Sequence, residues 1–392
     1  MRLASPLEPI MRMSRALGLL LVLGCLAPWV ASGQSTHETA VSLGLSAPGA
    51  RAAVPSAATV QAYWTDARMN AATPMPVPRV VRRARSAAPQ SLVAPSGPTV
   101  IATSGRHDEH PHEERTLQAP GDADIAPLAA GGSAFTYTRY RLFPNTQSKT
   151  YPYKAVGQLF FTIPGQGDFV CSGSVVNSAN SSMVWTAGHC VYTPGVGAHT
   201  NFLFAPGRSG GVNPFGTWTV KEGFTTLGWQ IGLFEFDHGA LVMNLGGNTA
   251  VPKKIGQRTG FLGFAANVPR QQNWHIHGYP LAPRALTYTP PGAQFDGEHQ
   301  EICGATWAAD DFPTGLGPPT VGIGCDQTGG TSGGPWMIDF SGLSGSTNLL
   351  NGNNSYRYVC PPCPPNDLEI YSPYFSDAAS NVRDAAQAVP VP

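Results

Sequence analysis

The sequence predicts a mostly β domain, a barrel or a sandwich, from about residue 133 to the C-terminus. Three observations lead there. First, short apolar runs recur after Phe135, each bounded by Gly, Pro or Asn: Ala155 to Ile163, Phe169 to Val176, Met183 to Ala187, Phe202 to Ala205, Thr217 to Val220 and Leu233 to Leu245. The pattern continues through Trp274 to His277, Ala285 to Tyr288, Thr320 to Ile323, Trp336 to Ile338 and Tyr356 to Val359. Second, Gly and Pro are frequent, 45 and 37 of 392 residues, while hydrophobic residues hold at 42%, which suits many short strands joined by turns. Third, a single C-terminal segment has helical spacing. Ser376 is placed to cap Asp377 to Val389, with Val382, Ala385, Ala386 and Val389 as its apolar stripe.

The first element is an export signal, residues 1–33. Arg2, Arg12 and Arg15 supply the basic end, and Ala16 to Val30 form an apolar run short for a membrane span. The small residues Ala31, Ser32 and Gly33 put cleavage before Gln34, and Met11 is an alternative start. Residues 34–132 read as a low-complexity, disordered pro-segment or linker. Ala, Pro and Ser dominate, and stretches such as Pro74 to Pro78 cannot bury enough apolar surface to offset ordering their backbone. Arg79, Arg82, Arg83 and Arg85 offer sites to a processing protease, and the tract His107 to His112 reads as a solvated loop rather than a metal site.

Charge excludes two classes of partner. With 24 basic and 24 acidic side chains there is no electrostatic footprint for nucleic acid or an anionic membrane. Cys25 lies in the signal, leaving Cys171, Cys190, Cys303, Cys325, Cys360 and Cys363. An even number in an exported domain implies disulfides and a secreted or periplasmic location.

Three motifs carry chemistry. In Gly329-Gly330-Thr331-Ser332-Gly333-Gly334-Pro335, glycines flank a serine so that the chain can present its hydroxyl. The same loop converges the N–H groups of Gly330 and Ser332 into an oxyanion hole. Thr186-Ala187-Gly188-His189-Cys190 puts a histidine just beyond a buried strand. A Cys171–Cys190 bridge, 19 residues apart, would pin that strand against its neighbour. Asp237, in Phe236-Asp237-His238-Gly239-Ala240-Leu241, is a carboxylate enclosed by apolar residues and so needs a partner, which His189 supplies. Glu235 is the local competitor.

The motifs TAGHC, FDHGAL and GGTSGGPW, in the order His189, Asp237, Ser332 and spaced by 48 and 95 residues, resemble the trypsin/chymotrypsin-like serine proteases. Tyr151-Pro152-Tyr153, the CSGS run from Cys171 and the Thr-containing loop before Ser332 resemble their glutamyl-endopeptidase-like bacterial branch. The resemblance covers about Ala134 to Val389. It implies two six-stranded β-barrels with a C-terminal helix, a His189-Asp237-Ser332 triad in the cleft between them, and a secreted endopeptidase acting on proteins or peptides. It also implies a monomer that needs neither metal nor cofactor. Two departures matter. Thr331 stands where trypsin-type zymogens carry an aspartate, so the oxyanion loop should form without a buried new amine. No histidine follows Ser332, the last being His299, so glutamate preference is not implied. Asp326 and Thr328 are the substrate-pocket candidates, Asp326 at the position that binds Lys or Arg in trypsin-like enzymes. Pairing of the last four cysteines stays open, with Cys303–Cys325 and Cys360–Cys363 the local choices. The rival readings are a catalytically silent binding protein of this fold and a serine esterase or amidase.

Overall fold

The computed structural model describes residues 36–45, 55–81, 97–106, 114–117, 135–281, 295–359 and 368–392. Six strands build its first half: β1 (Val156–Ile163), β2 (Gly167–Val176), β3 (Met183–Thr186), β4 (Thr200–Pro206), β5 (Trp218–Thr226) and β6 (Gly239–Met243). They pair in the order β5-β4-β1-β2-β3-β6, and β6 pairs back onto β5, closing an antiparallel barrel. The apolar runs of the sequence fill it: Leu159, Phe161, Trp185, Phe204, Trp218 and Leu241 are buried in one cluster. Burial of each such side chain contributes about 1.5–3 kcal/mol.

The second half contains β7 (Gly263–Ala266), β8 (Asn273–Gly278), β9 (Glu301–Asp311), β10 (Thr320–Gly324), β11 (Pro335–Ile338), β12 (Leu349–Asn353), β13 (Arg357–Val359) and β14 (Glu369–Ser372). Its main sheet runs β14-β10-β9-β8-β11-β12-β7, continues into strands Thr99–Ala102 and Glu114–Leu117, and takes Thr138–Arg141 onto β9. The result is a ten-stranded sheet that no pairing closes among the described residues. Among the described residues one barrel closes where two were expected. The outer edge of β7, which would be free to turn back, is occupied by Thr99–Ala102 in antiparallel register.

The C-terminal helix forms as expected, over Asp377–Gln387, with the Ser376 hydroxyl accepting from the Ala378 N–H. Ala378, Ala379, Val382 and Ala386 are its buried face. No helix of the described residues is long and apolar enough to cross a membrane.

The expectation of a disordered tract over 34–132 is corrected for the parts described. Two short helices, Ala57–Tyr63 and Asp66–Ala71, place Val60, Trp64 and Met69 in a cluster with Phe160, Val170 and Leu203 of the barrel. Trp64 also donates its indole N–H to the Asn201 carbonyl at 2.5 Å. Ala40–Ser42 adds to β5, Thr73–Pro74 runs parallel to β2, and Arg79–Val81 runs parallel to β13. Composition misses this because strand addition draws on main-chain hydrogen bonds, which any residue but proline can donate. The signal at 1–33, Arg82 to Arg85, His107 to His112, Ala285 to Tyr288, Cys360 and Cys363 lie outside the described residues.

Candidate active site

His189 stands in a single 3-10 turn, Gly188–Cys190, that follows β3 directly. The Cys171–Cys190 disulfide is present, so the turn is tied to β2. Gly188 makes room for the neighbours: a Cβ there would lie 2.7 Å from the Trp229 ring and 2.9 Å from Asp237 Oδ1. Asp237 sits between a second 3-10 turn, Phe234–Phe236, and β6, whose ladder with β3 brings Gly239 opposite Thr186. The pairing of β3 with β6 thus delivers the imidazole and the carboxylate to the same rim.

There they bond twice. The His189 N–H donates to Asp237 Oδ1 at 2.7 Å, and His189 Nδ1 lies 2.8 Å from Asp237 Oδ2. Asp237 is fully buried and accepts a further hydrogen bond from the Ser355 hydroxyl at 2.5 Å. Asn353 Nδ2 holds the Asp237 carbonyl at 3.2 Å. A carboxylate facing Nδ1 makes that nitrogen the donor, which leaves Nε2 with a free lone pair. Nε2 is buried and makes no hydrogen bond. The adjacent His238 is fully buried, and burial pushes it down to about 3, so it stays neutral beside the pair.

Ser332 comes from the loop between β10 and β11. Its carbonyl accepts from the Ser172 N–H of β2 at 2.8 Å. The next residue, Gly333, has φ 75°, and a Cβ on it would fall 2.0 Å from Thr186 Oγ1 and 2.7 Å from the Ala187 nitrogen. The serine loop is therefore packed on the strand end that leads into His189, and only glycine fits that contact. The Ser332 hydroxyl is buried and makes no hydrogen bond. Gly330 has φ 93°, and its N–H donates to the carbonyl of Met75 at 2.9 Å.

Other sequence-predicted residues fall as follows. Glu235 does not approach His189, because Phe234–Phe236 is a 3-10 turn rather than alternating strand. Its carboxylate accepts from the N–H groups of Thr314 and Gly315, both at 2.9 Å, and from the Thr314 hydroxyl. Asp326 is buried, and Arg139 Nε approaches its Oδ1 at 3.4 Å. The same arginine donates to Glu301 at 2.5 Å. A cation of the chain itself thus meets the carboxylate proposed for binding a basic side chain. Thr328 is buried, and its carbonyl accepts from the Thr331 N–H at 3.2 Å. Cys303 and Cys325 form the second disulfide, joining β9 to the end of β10.

Sequence reasoning missed Ser355, Asn353 and Asn354. Asn354 Nδ2 donates to the Thr331 hydroxyl at 2.7 Å and to its carbonyl at 3.1 Å, while that hydroxyl donates to Gln327 Oε1. The residue before Ser332 is thus held through its side chain as well as by the backbone bonds from its N–H to Thr328 and to its carbonyl from Gly334. The available signal was the cluster Asn351, Asn353, Asn354 and Ser355 next to Leu349-Leu350, since polar residues beside apolar ones are hydrogen-bonded when buried.

The chain is 32% identical to the protease Anisep of Arthrobacter nicotinovorans, covering 64% of this chain and 100% of that one, with a TM-score of 0.52. The chain belongs to the bacterial chymotrypsin-like serine proteases. Among curated proteins it is 27% identical over 121 residues to the glutamyl endopeptidase of Bacillus licheniformis, 31% of this chain and 33% of that protein. It is 34% identical over 101 residues to a protein of Bacillus subtilis named extracellular metalloprotease, 25% of this chain and 31% of that protein. The matched stretches span about a third of each curated relative. No family profile matches the chain. Among the described residues the two groupings with ligand spacing are Cys171-His189-Cys190 and Cys303-Cys325-Asp326. In both, the sulfurs are tied up in disulfides and cannot serve as thiolates.

Proposed function

We propose that the protein is an exported serine endopeptidase in which Ser332 is the nucleophile, His189 the general base and Asp237 the group that orients and stabilises the imidazole. In this reading His189 Nε2 takes the Ser332 proton as Oγ attacks a peptide carbonyl. The N–H groups of Gly330 and Ser332 hold the oxyanion. His189 then protonates the leaving amine, and water releases the acyl-enzyme by the same path. The two disulfides support an oxidising destination, secreted or periplasmic, with proteins or peptides as substrates and a monomer as the working form.

The observation that carries this is the His189–Asp237 couple. A fully buried carboxylate bonded to both the backbone and Nδ1 of one histidine fixes the tautomer that leaves Nε2 without a proton, and the hydroxyl of Ser332 in the neighbouring loop makes no hydrogen bond, to Nε2 included. The Arg139–Asp326 contact argues against a preference for basic residues at the cleavage site.

The test is a fluorophosphonate probe on the processed protein and on its Ser332→Ala variant, followed by mass spectrometry of cleaved casein. Covalent modification at Ser332 and proteolysis are expected in the parent, and neither in the variant. Near-normal casein cleavage by Ser332→Ala would remove Ser332 from the nucleophile's role.

A further inference from the structure

The segment Thr73 to Val81 touches both rims of the site. On one side Thr73 and Pro74 pair in parallel with Phe169 and Val170 of β2, and the Met75 N–H donates to the Val170 carbonyl at 2.9 Å. In the middle the Met75 carbonyl accepts from the Gly330 N–H at 2.9 Å. On the other side the Arg357 N–H donates to the Pro78 carbonyl at 3.0 Å, and Arg79 to Val81 pair in parallel with β13. Between these contacts Val77 is 6% exposed and sits in the apolar cluster of the second sheet with Ile276, Cys303, Cys325 and Trp336. Nine consecutive residues thus satisfy two sheet edges, one oxyanion donor and one apolar niche.

We propose that residues 73–81 are an intramolecular inhibitor, a strap that fills the catalytic cleft with the carbonyl of Met75 on the oxyanion donor and Val77 as its apolar anchor. The claim rests on the reading of Gly330 and Ser332 given above. Alternation of proline with other residues, Pro74-Met75-Pro76-Val77-Pro78, suits the task. Each ring fixes φ near −65°, so the free segment is already extended and loses little entropy on docking. Proline lacks an N–H, and the residues that do donate or accept here, Met75 and Pro78, use the groups that proline spacing leaves available. The bond after the held carbonyl runs to Pro76, whose nitrogen carries Cδ in place of the hydrogen of a substrate amide. The strap is held as a ligand and not turned over. Its far end carries the exposed Arg79 and then Arg82, Arg83 and Arg85 in sequence, so a cut among these basic residues would detach the strap from the chain that follows.

Two variants of the full chain test this: Val77→Asp, and the triple change Pro74→Gly, Pro76→Gly and Pro78→Gly. Amide hydrogen exchange is followed in a Ser332→Ala background, where catalysis plays no part, and fluorophosphonate labelling in chains that keep Ser332. The Gly330 and Arg357 amides should exchange at least tenfold faster in both variants than in the parent. Amides of the barrel, such as Leu241, should not change, which reports that the variants are folded. A synthetic peptide of residues 73–81 should restore the protection. Labelling of Ser332 should be at least tenfold faster in the variants, and the parent chain should stay intact between Met75 and Pro76. Equal exchange at Gly330 and Arg357 in parent and variants, or Ser332-dependent cutting at Met75–Pro76, overturns the strap. Exchange that changes as expected without labelling of any form leaves the strap standing and overturns the assignment of Ser332.

Discussion

Asp237, fully buried, accepts three hydrogen bonds, from the His189 N–H at 2.7 Å, from His189 Nδ1 at 2.8 Å and from the Ser355 hydroxyl at 2.5 Å. Only an acceptor on both oxygens can meet all three. An asparagine there keeps the shape but offers one amide NH₂. With its oxygen on the backbone N–H, its nitrogen faces Nδ1 and forces the proton onto Nε2, which then presents a donor to Ser332 instead of a base. Asp237→Asn should therefore leave the fold intact and lower turnover by about four orders of magnitude. Turnover on a peptide substrate and circular dichroism of the same preparation check this. A variant within about tenfold of the parent would take Asp237 out of the triad. At this scale the motifs were legible because each couples an unusual residue to an apolar or Gly-rich surround. Ser355 and Asn354 were not, since a serine or asparagine at the end of a strand looks the same whether it faces solvent or a buried carboxylate.

Elements were legible where side chains, not main chain, decide the pairing. The runs Ala155 to Ile163 and Phe169 to Val176 became β1 and β2 almost to the residue, because their side chains are buried along most of their length. The run Leu233 to Leu245 did not become one strand. It breaks into a 3-10 turn and β6 with Asp237 at the join, and that break is what turns the carboxylate toward His189. β7, β9, β12 and β14 were missed. In β9, Glu301 to Asp311, only Cys303, Ala305 and Trp307 alternate, too short a stretch to mark eleven residues, and their pairing draws on neighbours far away in sequence. In the proposed mechanism the serine loop presents the nucleophile, and Thr331 ties it to its neighbours. Its hydroxyl bridges Gln327 and Asn354 in a fully buried setting. Replacing Thr331 by Val keeps the volume and removes both hydroxyl bonds, leaving Asn354 Nδ2 the Thr331 carbonyl at 3.1 Å and Gln327 Oε1 only a long bond from Asn354 at 3.4 Å. Unfolding stability should fall by about 1–3 kcal/mol, measured by urea denaturation in the Ser332→Ala background. No loss would mean that the loop does not depend on this bridge.

For the whole molecule, the buried histidines set the response to acid. His199 is stacked on Phe161 at 4.8 Å between ring centroids, and its Nδ1 lies 3.0 Å from the Cys190 carbonyl. That carbonyl can only accept, so Nδ1 is the donor. Burial pushes His199 down to about 4, and His238 and His277 down to about 3, and it lowers His275 as well. The unfolded chain takes up protons on these rings near the ordinary value of 6.5, while the folded chain does not. Between about pH 6.5 and pH 4 the unfolded state therefore binds more protons, and stability falls as pH falls. Each of the three most buried rings contributes about 1.4 kcal/mol per pH unit in that window. Glu38 and Asp310, raised by burial, act in the opposite sense, because protonating them favours the fold as pH drops. Three rings against two partly buried carboxyls leave a net loss in acid. Urea midpoints of the Ser332→Ala chain at pH 7.5 and pH 5.5 are expected to differ, the lower one at pH 5.5. Replacing His199 by Asn should make the dependence shallower by about one proton. A midpoint equal or higher at pH 5.5 would mean that these rings reach solvent, or that the carboxyls outweigh them.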